Sequence, residues 1–88
     1  MISGVQIRAA RALLGWDQAR LAAAAGVSLI TVKRIEAAGN EIQANFQTVV
    51  KIKDACIKAG VQFLDEEGGL GYGVRLAKTP RGRRTPRE

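Results

Sequence analysis

The chain contains no histidine, one cysteine and only 5% aromatic residues. Histidine and paired cysteines are the usual ligands of zinc, and histidine is the most frequent general acid or base in catalysis. The chain also lacks the Gly-x-x-x-x-Gly-Lys loop that cradles phosphates in nucleotide-binding enzymes. We therefore expect no catalytic activity, no cofactor and no metal site.

The single cysteine, Cys56, has no partner for an intramolecular disulfide. No apolar run approaches the roughly 18 residues that a membrane-spanning helix needs, and the sequence opens without the pattern of a secretory signal. Free cysteines usually behave as small buried hydrophobes, which we expect of Cys56. These features predict a soluble, cytoplasmic protein without a membrane partner.

Positive charge predominates, with 14 Lys and Arg residues against 8 Asp and Glu residues and a net charge of +6 at pH 7. This excess favours a polyanionic partner, nucleic acid before a membrane surface. The few aromatic residues are not interleaved with basic ones, which argues against RNA. Residues 78–88 hold five basic residues and one acidic residue. We expect this tail to be disordered, either as a solubilising end or as a phosphate-contacting arm.

Two helices are predicted over the first 26 residues. Ser3 and Gln6 have the spacing of a capping box before a helix over Gly4–Leu14. Asp17 is an N-cap for a second, short helix of residues with high helix propensity, which ends at Gly26. The apolar residues expected on the inner face of the first helix are Ile7, Ala10, Leu13 and Leu14.

Two further helices and a pair of strands follow. Ser28 caps a third helix of about ten residues, and Asn45 caps a fourth over residues 46–59. After Gly60, short β-type runs at 61–64 and 74–76 predict a small hairpin or two strand arms. Such a ribbon should pack on the helices or pair with a second chain, because two strands alone are marginally stable. The inner residues expected in the fourth helix are Val49, Ile52, Cys56 and Ala59.

The acidic run between the two strand segments is a possible exception to the absence of metal ligands. It consists of Asp65, Glu66 and Glu67. Three adjacent carboxylates beside glycines indicate a solvated turn before they indicate a metal site.

Residues 17–38 fit two helices that pack at a steep angle across a short turn. Ala22 is small where the helices would approach most closely, and Gly26 permits the left-handed backbone of the turn. The residues expected to fill the core between the helices are Leu21, Val27, Val32 and Ile35. This pattern constrains several positions at once and is therefore much more specific than a lone glycine motif.

With the sequence before and after it, this segment resembles the helix-turn-helix family of phage Cro and repressor proteins and xenobiotic-response-element-type bacterial regulators. The resemblance spans about residues 5–59 and is closest over 7–22 and 25–36. It implies a mostly α fold: a four-to-five-helix lambda-repressor-like domain with a short C-terminal β-hairpin or strand arm. We expect a DNA-binding domain over 1–60, a dimerising β-type extension over 61–77 and the basic tail over 78–88.

In such relatives the third helix enters the major groove, which implies a recognition helix at about 28–38 in this chain. The base-contacting residues that the resemblance implies are Ser28, Leu29, Ile30, Thr31 and Arg34. The phosphate-contacting residues are Gln18, at the start of the second helix, with Lys33, Arg8, Arg11 and Arg20. The alternative for the charged residues is a solvated helix face.

The chain departs from the best-known repressors at Leu29 and Ile30, where those proteins often carry glutamine or other bidentate hydrogen-bonding residues. Apolar side chains can contact only thymine methyl groups and respond to groove shape. We therefore expect Arg34 and Thr31 to supply the polar contacts, Arg34 on a guanine, and DNA shape to carry much of the specificity. Alternatively, Leu29 and Ile30 are core residues of a differently angled helix pair.

These features predict a homodimeric transcriptional regulator, a repressor, an activator or both, that binds double-stranded DNA sequence-specifically. One recognition helix reads about half a site, so a palindromic operator is expected. We expect the protein to be nucleoid-associated and open to control by an antagonist protein. The alternative is a protein-interaction module, such as an antitoxin-like or adaptor protein.

Overall fold

The structure, a computed structural model, describes residues 2–39 and 44–78. Apart from Lys78, the predicted basic tail lies outside the described residues. Within them the chain forms four helices and then two strands: α1 Gly4–Leu14, α2 Gln18–Ala25, α3 Leu29–Ala37, α4 Phe46–Lys58, β1 Val61–Leu64 and β2 Gly73–Leu76. The predicted helical fold with a C-terminal hairpin is confirmed. None of the described helices has the length and apolar character needed to cross a membrane.

Short-range hydrogen bonds set the ends of the helices. The Ser3 hydroxyl accepts the Gln6 N–H at 3.1 Å while the Gln6 side chain accepts the Ser3 N–H at 2.9 Å, which confirms the capping box. Gly15 and Gly26 end α1 and α2 with φ angles of 70° and 74°, a left-handed conformation that glycine adopts without strain. The other predicted N-caps are also in place: Asp17, Ser28 and Asn45.

One apolar core joins the four helices to the hairpin. Its buried members are Ile2, Ile7, Ala10, Leu21, Ala22, Val32, Ile35, Val49, Ile52, Ala55, Cys56 and Val61. Two expected core residues are corrected, since Leu13 is 41% exposed and Ala59 is exposed. Leu13 lies about 120° around α1 from Ile7. Ala59 follows the end of α4, and Ala55 takes the expected place in the core.

The hairpin packs against α1, one of the two arrangements left open by the sequence. Its strands pair antiparallel, with Val61 opposite Leu76. The Gln6 side-chain amide donates to the carbonyl oxygens of Leu64 and Gly73, at 3.2 and 2.9 Å. Gln6 is only 2% exposed, so one buried amide both caps α1 and attaches both strands to it.

The start of α1 approaches the end of α3 without room for a side chain. A Cβ atom on Gly4 would lie 2.5 Å from the Ile35 carbonyl oxygen, well inside van der Waals contact. The Gly4 N–H also donates to the Gly39 carbonyl oxygen at 2.7 Å. Sequence reasoning missed this role of Gly4, because the contact joins two distant parts of the chain.

Candidate nucleic-acid interface

The turn between α2 and α3 holds the two helices as one unit. The N–H groups of Gly26 and Val27 both donate to the Ala22 carbonyl oxygen, at 2.9 and 3.0 Å. Leu21 and Val32 are fully buried between the helices, whereas Val27 is only partly buried against the core. Since one side of α3 is fixed in the core, its opposite side is held outward.

The first turn of α3 presents two aliphatic side chains to solvent. Leu29 is 38% exposed and Ile30 is 66% exposed. The inward face of α3 is filled instead by Val32 and Ile35, at 0% and 2% exposure. The structure therefore does not place Leu29 and Ile30 in the core, which removes the alternative of a differently angled helix pair.

The two hydroxyl groups at the start of α3 bind each other. Ser28 Oγ lies 2.8 Å from Thr31 Oγ1 and also accepts the Thr31 N–H at 3.1 Å. One of the two hydroxyl protons is thus used between the two side chains. The pair retains one donor and spare acceptor capacity for any other partner.

The cationic groups of α3 are exposed and available. Lys33 and Arg34 are both exposed. Across residues 2–39 and 44–78, neither makes a hydrogen bond or an ion pair with another described residue. An unpaired arginine on a helix face can donate two parallel hydrogen bonds to a planar acceptor pair.

Glu36, on the inner side of α3, connects this helix to α1 and α2. Its side chain is 3% exposed and accepts hydrogen bonds from Arg11 Nε at 2.7 Å and Arg11 Nη2 at 2.9 Å. The Gln18 side-chain amide donates to the same carboxylate at 3.1 Å. Hydrogen bonding to Glu36 raises the pKa of the Arg11 guanidinium, against an opposing effect of burial. This bidentate ion pair fixes the end of α3.

Sequence reasoning did not assign a role to Glu36, although a signal was present. Glu36 lies four residues after Val32 and next to Ile35, so helical periodicity puts it on the inner face with them. A charged residue on a predicted buried face requires a partner. Arg11 is that partner.

The predicted phosphate ligands fall into two groups. Three of them converge on Glu36, because Arg8 Nη1 donates to the Glu36 carbonyl oxygen at 2.9 Å while Arg11 and Gln18 bind its carboxylate. The other two are exposed on different helices: Lys33 on α3 and Arg20 on α2, where the Arg20 guanidinium lies 5.3 Å from the centre of the Trp16 ring. The structure thus brings Arg8, Arg11 and Gln18 together and leaves Lys33 and Arg20 apart from them.

Cys56 is fully buried in the core beneath these helices. Burial, with a smaller contribution from the charge of Glu36, raises the pKa of its thiol to about 11. The thiol is therefore protonated at neutral pH, and a buried neutral thiol is inert. Within the described parts of the chain, no three His, Cys, Asp or Glu residues are grouped to hold a metal ion.

Comparison with known proteins agrees with this geometry. The helix-turn-helix family model matches residues 7–56, more than half of the chain. The match includes most of α1, all of α2 and α3, and α4 as far as Cys56. No curated protein matches the chain. The chain belongs to the Cro/repressor-like helix-turn-helix family of DNA-binding transcription regulators.

Proposed function

We propose that this protein binds a palindromic operator sequence-specifically as a homodimer, placing α3 in the major groove, and thereby represses or activates transcription. Its role is binding rather than catalysis. The observation that carries the proposal is the outward face of α3, where exposed Leu29 and Ile30 lie beside the exposed cations Lys33 and Arg34. The opposite face of α3 is buried through Val32, Ile35 and Glu36, so the outward face is held in a fixed orientation.

The distribution of charge also favours α1 to α3 as the side of the molecule that faces DNA. Residues 2–39 contain five basic residues and two acidic ones, of which Glu36 is buried and paired. The exposed acidic run Asp65, Glu66 and Glu67 lies instead in the hairpin turn. DNA is polyanionic, so it would approach α1 to α3 and avoid the hairpin turn.

The proposed DNA contacts are of two kinds, and the residues differ in how much they contribute to binding. Base contacts come from the five outward residues of α3 and its N-cap: Ser28, Leu29, Ile30, Thr31 and Arg34. Phosphate contacts come mainly from the exposed residues Lys33, Arg20 and Arg8, with Gln18 at the start of α2. Arg11 contributes least, because its charge is already neutralised by Glu36.

Selection from a random duplex library, followed by fluorescence anisotropy, tests sequence-specific binding. We expect one selected site to bind about a thousandfold or more tighter than scrambled DNA at physiological salt. Arg34→Ala should weaken binding to that site by about tenfold and leave scrambled DNA nearly unaffected. Lys33→Ala is the matched control, because loss of a phosphate contact should weaken both affinities alike. Failure to select any site would contradict the proposal.

The homodimer is proposed to form through α4 and residues 61–77. A shallow groove between α4 and β1 is lined by Lys53, Ile57, Val61, Gln62, Phe63 and Ala77. Ile57 is 47% exposed there. The outer strand edges have no further strand beside them within residues 44–78, and a second copy would cover them.

Sedimentation of an Ile57→Glu variant tests this interface. We expect the wild-type chain to sediment as a dimer and the variant as a folded monomer, because a charged and hydrated side chain would replace the apolar surface of Ile57 in the interface. Gln47→Glu adds the same charge at another exposed position of α4 and should remain dimeric. A dimer unaffected by Ile57→Glu would place the interface elsewhere.

A protein-interaction module is the second candidate, favoured by the exposed apolar residues Leu29, Ile30 and Phe46, the last at 68% exposure. Such a module would bind DNA only non-specifically and with a steep salt dependence. In the regulator, the same surface would be the target of an antagonist protein. Absence of a selected site together with steep salt dependence would favour the module.

A further inference from the structure

The start of α3 offers few free hydrogen-bonding groups to a base edge. The hydroxyls of Ser28 and Thr31 bind each other at 2.8 Å. The side-chain amide of Gln18, at the start of α2, donates to the Glu36 carboxylate. The large apolar side chains that this turn exposes are those of Leu29 and Ile30.

An aliphatic side chain recognises one feature of the major groove directly. This feature is the methyl group on C5 of a pyrimidine, which is the only apolar substituent that the base pairs present there. Ile30 is 66% exposed, so most of its surface is available for such a contact. Burial of this surface against a methyl group is favourable, whereas a polar base edge would lose hydration without gaining a hydrogen bond.

Arg34 follows Ile30 by one helical turn on the same face. Helical side chains lean towards the N-terminus, so the Arg34 guanidinium extends over the turn that carries Ile30. The guanidinium makes no hydrogen bond or ion pair with the described residues. Its strongest base partner is guanine, through O6 and N7.

We infer that α3 reads a C5-methylated pyrimidine adjacent to a guanine, with Ile30 and Leu29 on the methyl group and Arg34 on the guanine. The inference rests on the proposed function, since it requires α3 to lie in the major groove. Thymine and 5-methylcytosine present the same methyl group. Binding should therefore depend on thymine methyl groups and, where the site contains cytosine, increase on cytosine methylation.

Synthetic duplexes with single-position changes in the selected operator test the inference. At the pyrimidine beside the guanine, four versions are compared: thymine, uracil, cytosine and 5-methylcytosine. Uracil should weaken binding by about fourfold per half-site relative to thymine, because one buried methyl group is lost. 5-Methylcytosine should bind more tightly than cytosine by a similar factor. If affinity falls with uracil but does not rise with 5-methylcytosine, recognition of methylated cytosine is overturned. The methyl group that α3 reads is then that of thymine.

Variants of the protein assign the methyl contact to its side chains. Ile30→Ala should reduce the preference for the thymine duplex over the uracil duplex, and it should fold normally because Ile30 lies outside the core. Lys33→Ala should weaken both duplexes while keeping the ratio between them. The inference would be overturned if uracil at every thymine position left wild-type affinity unchanged. That outcome would not contradict the proposed function. Absence of any selected site would contradict both the proposed function and this inference.

Discussion

The two ends of α3 differ in how far their side chains are buried. At its start, Leu29 and Ile30 are exposed. At its end, Ile35 and Glu36 are each 2% exposed, and the Glu36 carboxylate accepts hydrogen bonds from both α1 and α2. The comparison shows that one short helix keeps the residues that fix it in the core separate from the residues that it leaves exposed. Residues that contact a ligand can change without disturbing the fold, because different residues of the same helix hold it in place.

Removal of the Glu36 carboxylate, which holds the end of α3, should have the largest effect on stability. Glu36→Ala leaves the Arg11 guanidinium partly buried without its partner and should lower the free energy of unfolding by about 3 kcal/mol. Urea denaturation followed by circular dichroism measures this. Glu36→Gln keeps a hydrogen-bond acceptor and should lose less. A change below about 0.5 kcal/mol in Glu36→Ala would show that the end of α3 is held by apolar packing alone.

The close approach of α1 to α3 should give the next largest effect. Gly4→Ala places a methyl group 2.5 Å from the Ile35 carbonyl oxygen, so backbone must move. We expect a loss of about 2 kcal/mol in the free energy of unfolding, even though alanine favours a helix more than glycine does. Gly71→Ala is the control, since a Cβ there meets nothing within 4 Å. Equal stability of both variants would mean that α1 shifts freely on α3.

Substitutions at the start of α3 should have the smallest effect on stability. Ile30→Ala and Arg34→Ala remove exposed side chains from a helix, so the free energy of unfolding should stay within about 0.5 kcal/mol of the wild type. The same denaturation experiment measures this. A larger loss of unfolding free energy in either variant would show that the start of α3 also helps to stabilise the fold. Unchanged stability makes the DNA-binding results with these variants direct tests of recognition.

Helix ends and the helix-turn-helix core were predictable because their signals are local. Ser3 pairs with Gln6 across three residues, and Gly26 ends α2 through bonds to residues three and four positions earlier. The exposed residues of α3 followed from helical periodicity together with the family resemblance. Their assignment to DNA bases stays a prediction, because contact with a ligand lies outside what a single chain displays.

The sequence alone determined where the helices begin and end, which face of each is apolar, and that the family is helix-turn-helix. Only the tertiary structure decided that Glu36 joins three helices and that Gly4 must lack a side chain. It also decided that Gln6 attaches the hairpin to α1. The physical reason is distance along the chain: Arg11 and Glu36 are 25 residues apart, and Gln6 and Gly73 are 67 apart. Caps and periodicity act within one helical turn, whereas such contacts exist only after the core has packed.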